Sequence, residues 1–412
     1  IGRFLGKGRR VRAAGVLPGY YNELLSWALH RYIADEGWTA YKTLGYAAPE
    51  PKFADVHTDY NKVENLLVDG QLLLTKGDDR FIVTIDTGNG WRASVHMEGL
   101  AKTEKLCQGF IAGVTAMAKE NNFYRGKKLE FGGRIRFLDV PVRAWGSVVL
   151  APTVKADVIA NTTAFLGKRE LWGEYGIPCK RGIILAGEPG TGKTVICKAL
   201  MVEAEGITCI TTSAYAAAAN DYITELYELA QDLSPSIVFI EDIDLIGEDR
   251  EESGYSRGPA LISLLAVLDG IEEKKQIVTV ATTNCLDKLD KALGERPSRF
   301  DRVIKLSRPS LEGRRELINL ICQKIPVDEP ERDYLSRRTD GFTPAEVQEV
   351  LYSLVIDCPD QISVSTAPGF RRDDIDRAIS RVNGKSGRRA GFNIGSGHNG
   401  SKADFPGNHK TN

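Results

Sequence analysis

The 412-residue chain contains no apolar run approaching the ~18–20 residues a membrane-spanning helix needs. It also lacks an excess of either charge. Its 54 Lys and Arg stand against 55 Asp and Glu, a formal net charge of −1, so no overall field draws it to nucleic acid or to a membrane surface. The seven cysteines are dispersed without a CxxC pair, which fits reduced, mostly buried thiols of a cytosolic protein. No internal repeat is visible, and no signal-peptide pattern opens the chain. The expected location is cytoplasmic, with no membrane partner. His30, His57 and His96 are isolated from one another and read as structural.

What is present is ordinary globular composition, 42% hydrophobic and 26% charged, and one exceptional stretch. Gly187-Glu188-Pro189-Gly190-Thr191-Gly192-Lys193-Thr194 fits the phosphate-cradling pattern G-x-x-x-x-G-K-[ST] without a gap. An apolar run of strand length, Gly182-Ile183-Ile184-Leu185-Ala186, precedes it. A helix-like run from Val195 to Met201 follows, with Ile196 and Leu200 on one face. Glycines permit positive φ and let backbone N–H groups close around phosphate oxygens, and the helix start aims its positive dipole end at the same anion. Lys193 is placed to reach the β- and γ-phosphates of a triphosphate and Thr194 to hold Mg²⁺; the expected cradle runs from Gly187 through Val195.

Residues 1–16 carry Lys7, Arg9, Arg10 and Arg12 and read as a solvated arm, with a nucleic-acid contact as the minor alternative. Tyr21, Leu24, Leu25, Ala28, Leu29, Tyr32 and Ile33 recur at helical spacing and end by Gly37. Gln71–Thr75, Arg80–Asp86 and Trp91–Met97 read as strands separated by glycine turns. A second amphipathic helix is expected with Leu106, Phe110, Ile111, Val114 and Met117 on one face, and strand character returns over Tyr124–Val140. These elements suggest an α+β domain over 1–142, for partner or substrate recognition. From there a βαβ rhythm runs to about 308, as a parallel sheet with crossover helices requires. Residues 309–383 are helical in pattern, and 384–412 are too poor in apolar side chains to order themselves.

Two further stretches complete a candidate site. Ser236–Ile240 is an apolar strand ending in Glu241-Asp242, the placement that delivers carboxylates to a Mg²⁺–phosphate centre. Ile277–Ala281 is another buried strand, followed by Thr282-Thr283-Asn284; an amide at the carboxyl end of a parallel strand lies where ligands bind in open sheets. Asn284 there can orient a water and sense the γ-phosphate. Ser298-Arg299-Phe300-Asp301-Arg302 follows. Its arginines are either surface ion pairs or, in a nucleotide-hydrolysing ring, groups that fork onto a neighbour's γ-phosphate.

This order of motifs resembles that of the AAA+ ATPases, over residues 143–383. The resemblance rests on GEPGTGKT, FIEDID, ATTN, SRFDR and the segment Thr339-Asp340-Gly341-Phe342-Thr343-Pro344-Ala345-Glu346, which is similar to that of the protein-remodelling branch. Gly176–Gly182 and Asp269-Gly270-Ile271 resemble that branch's nucleotide-edge segment and intersubunit signalling turn. The likeness implies an α/β P-loop core with a C-terminal helical lid, here preceded by the smaller α+β domain. It implies ATP and Mg²⁺ as ligands, ATP hydrolysis, a homo-oligomeric ring, usually a hexamer, and a protein client. Lys193 and Thr194 then form the Walker A pair, Glu241 and Asp242 the metal- and water-handling acids, and Asn284 the first sensor. Arg299 and Arg302 act on the adjacent subunit, and Pro344-Ala345 stand at the second sensor, where no arginine occurs.

Three departures stand out. The acids read Glu-Asp where the family has Asp-Glu, an order that resembles the mitochondrial AAA translocase of folded Rieske protein and leaves open which acid is the base. Tyr215-Ala216-Ala217 occupies the threading-loop position without its glycine, so Tyr215 is either a pore residue or core. Ala292–Pro297 holds one extra residue before the arginines. Two other functions remain: an ATP-gated scaffold with low turnover, and a motor of a nucleic-acid complex.

Overall fold

The computed structural model describes residues 4–87, 92–141, 145–213, 222–247, 264, 266–268, 270, 275–287, 300–359 and 370–389. They divide at Pro309/Ser310 into two compact units.

The first unit holds two sheets. The N-terminal one comprises β1 (Arg10–Pro18), β2 (Thr39–Leu44), β3 (Lys52–Asp59), β4 (Lys62–Lys76), β5 (Asp79–Asp86) and β6 (Arg92–Leu100). It is antiparallel, in the order β1-β6-β5-β4-β2, with β3 also on β4. One face is covered by α1 (Asn22–Asp35) and α2 (Glu104–Glu120). Period-2 burial along β6 and the spacing of Cys107, Phe110, Ile111, Val114 and Ala118 on α2 turn matching apolar faces toward one another. Trp38 sits edge-on to both Phe81 and Phe110, with ring centroids 5.2 and 4.9 Å away.

Two expectations fail here. The second part of the basic N-terminal stretch is not a free arm: Arg10–Pro18 is a strand along β6. Val11, Ala13, Gly15 and Leu17 alternate with exposed Arg10, Arg12, Ala14 and Val16, and this period of two outweighs the charge. Leu106 is 41% exposed rather than on the buried face of α2.

The second sheet comprises β7 (Lys128–Phe131), β8 (Ile135–Phe137), β9 (Lys180–Ala186), β10 (Thr208–Ser213), β11 (Ser236–Glu241), β12 (Ile277–Thr283) and β13 (Arg302–Lys305). Its order is β13-β9-β12-β11-β10-β7-β8, parallel except for β8. The helices with it include α3 (Pro152–Ala160), α4 (Thr163–Gly167), α5 (Arg169–Glu174), α6 (Lys193–Glu203), α7 (Tyr222–Asp232) and the short α8 (Asp244–Gly247). Central strands are apolar on both faces, as covered parallel sheets require. Ile183, Leu185, Ile237, Phe239, Val278 and Val280 face one cluster; Ile184, Ala186, Val238, Ile240 and Ala281 face the other.

That second cluster is continuous with the core of the N-terminal layer, taking in Leu24, Phe110, Tyr124 and Tyr227. The boundary expected at residue 142 is therefore not a boundary in the hydrogen bonding, since β7 and β8 belong to the second sheet. Tyr20 and Tyr21 each donate to Asp232 Oδ2 at 2.9 Å, and Arg125 Nη2 donates to the Asp232 carbonyl at 3.0 Å. Burial, reinforced by the shared Asp232 carboxylate, raises both phenols above their ordinary pKa. Tyr124 Oη donates to Glu23 Oε2 at 2.6 Å.

His30 Nε2 accepts the Leu67 N–H at 3.0 Å, and burial lowers its pKa. The unfolded chain therefore binds more protons than the folded one as pH falls through roughly 6.5, and the stability contributed by neutral His30 is lost on that side. His30→Gln, which keeps an acceptor but cannot titrate, is expected to flatten the fall in melting temperature between pH 7.5 and 5.5. An unchanged slope would assign the pH dependence to other groups.

The second unit contains α9 (Leu311–Ile321), α10 (Glu329–Arg338), α11 (Pro344–Asp357) and α12 (Arg372–Arg389). They close over Ile318, Leu335, Phe342, Val350, Leu351, Ile375 and Ile379. The segment Thr339–Glu346 has a local mechanical reading. Gly341 takes φ 74° after α10, Phe342 is buried, and Thr343 with Glu346 forms a reciprocal capping box ahead of Pro344. Thr343→Ala is expected to cost about 1 kcal/mol of this unit's stability, measurable by denaturant unfolding. The boundary expected at 383 is also displaced, because α12 continues to Arg389.

Candidate functional site

The register of the second sheet brings three strand ends to one level. Ala186 pairs with Thr283, and Ile240 with Ala281, so the glycine loop, Asn284 and the acids leave the sheet side by side. β9 has β12 on one side and β13 on the other. The connections diverge beside β9, and in open α/β sheets such a switch point, at the carboxyl ends of the strands, is where ligands bind.

Sterics shape the loop. A Cβ at Gly187 would meet the Leu306 carbonyl at 2.7 Å and Thr191 Oγ1 at 2.8 Å. Gly192 stands at φ 99° as the residue before α6. A side chain would collide at Gly187, and at Gly192, where space is open, it would be strained by the positive φ. The Gly187 N–H donates to the Thr283 carbonyl at 3.2 Å, and Thr191 Oγ1 donates to the Glu188 carbonyl at 2.8 Å. Lys193 is only 7% exposed. Its Nζ donates to the carbonyls of Gly187 (2.7 Å) and Glu188 (3.0 Å). Burial lowers its pKa, while the charges of Asp242 and Asp244 pull it back up. A buried ammonium held by two carbonyls is a cation still lacking a full counter-charge, which a phosphate would supply. Pro189 is exposed, Val195 half-buried and Thr194 exposed at the start of α6.

The acids occupy a distinctive turn. Asp242 has φ 55°, the sole non-glycine residue with positive φ among the described residues. Its N–H donates to Thr282 Oγ1 at 3.0 Å, and Asn284 Nδ2 donates to its Oδ1 at 3.1 Å. Asp244 Oδ1 accepts the Asn284 N–H at 3.2 Å. The turn thus aims Asp242 at Asn284 and toward the lysine. Glu241 instead has its pKa raised by burial and by Asp242, with Lys198 on α6 opposing. Cys197 lies behind it, its thiol pushed far up by burial.

Among the described residues no group of three or more His, Cys, Asp or Glu could hold a metal by itself. The Thr194 hydroxyl, Glu241 and Asp242 offer hard oxygen donors, the kind Mg²⁺ takes when nucleotide phosphates complete its shell. The residues present fit that group.

The structure therefore gathers Lys193, Asp242, Asn284 and the glycine loop. It does not bring Arg302 to them. Arg302 begins the edge strand β13, its Nε donating to Asp157 Oδ2 at 3.0 Å and Oδ1 at 3.3 Å. Arg299, Tyr215, Asp269, Ile271 and Ala292–Pro297 lie outside the described residues. Three participants were not singled out from the sequence. Asp244 closes the FIEDID stretch but was given no role there. Thr282 orients the Asp242 backbone. Arg308 forks onto Glu188 Oε2 through Nε (3.1 Å) and Nη2 (2.6 Å), an exposed pair that sequence separation concealed.

Residues 183–308 match the model of the ATPase family associated with various cellular activities, AAA. Curated relatives include the proteasome-activating nucleotidases of Sulfurisphaera tokodaii (38% identical over 191 residues, 44% of this chain and 48% of the relative) and of Saccharolobus solfataricus (33% over 230 residues, 52% and 56%). That of Methanosphaerula palustris is 36% identical over 196 residues, 45% and 47% of the two chains. The chain spans about half the length of these relatives.

Proposed function

Because the chain carries an AAA ATPase domain, we propose that it binds ATP with Mg²⁺ and hydrolyses it, as one subunit of a homo-oligomeric ring that remodels a protein client. The observation that carries this reading is the convergence of buried Lys193, the glycine loop and the Asn284–Asp242 pair at aligned strand ends. The names of the relatives support a protein client, and the similarity across this domain supports nucleotide as the ligand.

In this proposal the loop N–H groups and Lys193 hold the β- and γ-phosphates. Thr194 and Glu241 would hold Mg²⁺, which would supply neutralising charge to the phosphoryl group. Asp242 takes the water side, with Asn284 fixing its carboxylate by a hydrogen bond. Placing Asp242 there compensates for its missing methylene, because the positive φ turn carries the shorter side chain toward the loop. A neighbouring subunit closes the site with Arg299 or Arg302. The second unit serves as the lid and the N-terminal layer as the recognition face. No helix among the described residues is long and apolar enough to cross a membrane, and we place the reaction in the cytoplasm.

The test is phosphate release by the wild-type protein and by Lys193→Ala, run beside sizing with and without ATP. Nucleotide-dependent assembly without phosphate release would replace the motor with a scaffold.

A further inference from the structure

The candidate finger Arg302 has a partner within its own chain that the motif reading did not use. Asp157, on α3, receives the Arg302 guanidinium along one edge. Nε lies 3.0 and 3.3 Å from the two carboxylate oxygens, and Nη2 lies 2.9 Å from Oδ2. The carboxylate is itself anchored, since Asn161 Nδ2 donates to Oδ1 at 2.9 Å and to the Asp157 carbonyl at 2.7 Å. The pair is half-open: Arg302 is 54% exposed and Asp157 28%.

This geometry differs from an incidental surface ion pair in two ways. A fork that engages Nε and Nη2 fixes the plane of the guanidinium, where a single contact would leave it free to rotate. Among the described residues it also leaves Nη1 without a hydrogen bond, on β13, the terminal strand of the sheet. An arginine whose plane is set beforehand loses less conformational freedom when a phosphate arrives, and positioning of this kind is worth a large factor in rate.

We propose that Asp157 is a positioning residue for ATP hydrolysis in trans: by engaging Nε and Nη2 it holds Arg302 so that the Nη1 side of the guanidinium is presented to the γ-phosphate bound by the adjacent subunit. The proposal rests on the ring ATPase reading above and deepens it.

Complementation between subunits tests it. Arg302→Ala subunits keep an intact phosphate loop but lack the guanidinium; Lys193→Ala subunits lack a working loop but keep Arg302. Mixed, they are expected to recover turnover that neither shows alone. Adding Asp157→Asn to the Lys193→Ala subunit is expected to cut the recovered kcat about tenfold or more, with the KM for ATP unchanged. Adding Asp157→Glu instead should restore part of it. Melting temperature and sizing of each variant report folding and assembly separately from catalysis. Recovery that is indifferent to Asp157→Asn would overturn the positioning role while leaving Arg302 as the finger. Absence of recovery, with assembly intact, would overturn the role of Arg302 in trans and the present proposal with it.

Discussion

Lys193→Ala is expected to abolish measurable phosphate release and to weaken ATP binding by one to two orders of magnitude. The wild-type ammonium is buried and held by only two backbone carbonyls. Those carbonyls are weak partners for a full charge, so burial depresses its pKa even with Asp242 and Asp244 nearby. A triphosphate would replace the carbonyls with charged oxygens, and a charge-assisted hydrogen bond of this kind is worth about 1.5–3 kcal/mol. Removing the side chain forfeits that term in the ground state and the larger one that develops as the γ-phosphoryl group leaves. The fold should tolerate the change, because alanine is a good helix former at the start of α6. Fluorescent-nucleotide titration, phosphate release and thermal melting separate the three effects. Wild-type turnover in this variant would refute the site.

Asp242→Asn is expected to show the complementary pattern: ATP binding within a few fold of wild type, and hydrolysis reduced by about 10²–10⁴-fold. Asparagine suits the position because it tolerates the left-handed φ of 55° that Asp242 adopts. Its amide oxygen can still accept from Asn284 Nδ2. Shape and backbone are thus preserved while the basic carboxylate is lost. Asp242→Ala would confound the test by adding backbone strain. The companion Glu241→Gln discriminates between the two acids. If Glu241 serves the metal, its replacement should raise the Mg²⁺ concentration needed for half-maximal activity. If Asp242→Asn turns over normally while Glu241→Gln is dead, the roles are exchanged.

The parts of this site that were legible in the sequence are those where local chemistry dictates residue type. Glycines that must take positive φ, a lysine at a helix start and acids ending an apolar strand leave contiguous marks. Asp244 and Thr282 were harder to find because their roles depend on β11 and β12 lying side by side, which no local pattern encodes. Asp157 stands 145 residues from Arg302 and meets it only because α3 reaches the edge strand. In the N-terminal layer, periodicity located α1, α2, β5, β6 and the second half of β4, whereas β1 was hidden by its arginines and β2, β3 and the start of β4 went unread. Strands β7 and β8 were assigned to the wrong layer, since a short apolar strand carries no label saying which sheet will accept it.

The joint at Asp232 has a consequence for how any work would be delivered. Two phenols from the N-terminal layer and the Arg125 guanidinium grip the last residue of α7. The opposite end of that helix follows the stretch containing Tyr215. No slack tether separates the layer from the engine, so a displacement of α7 must either drag the layer along or tear three hydrogen bonds. Excising residues 1–142 as a detachable module would strip two strands from the sheet and leave a greasy wound, and the remainder should precipitate rather than run as a smaller machine.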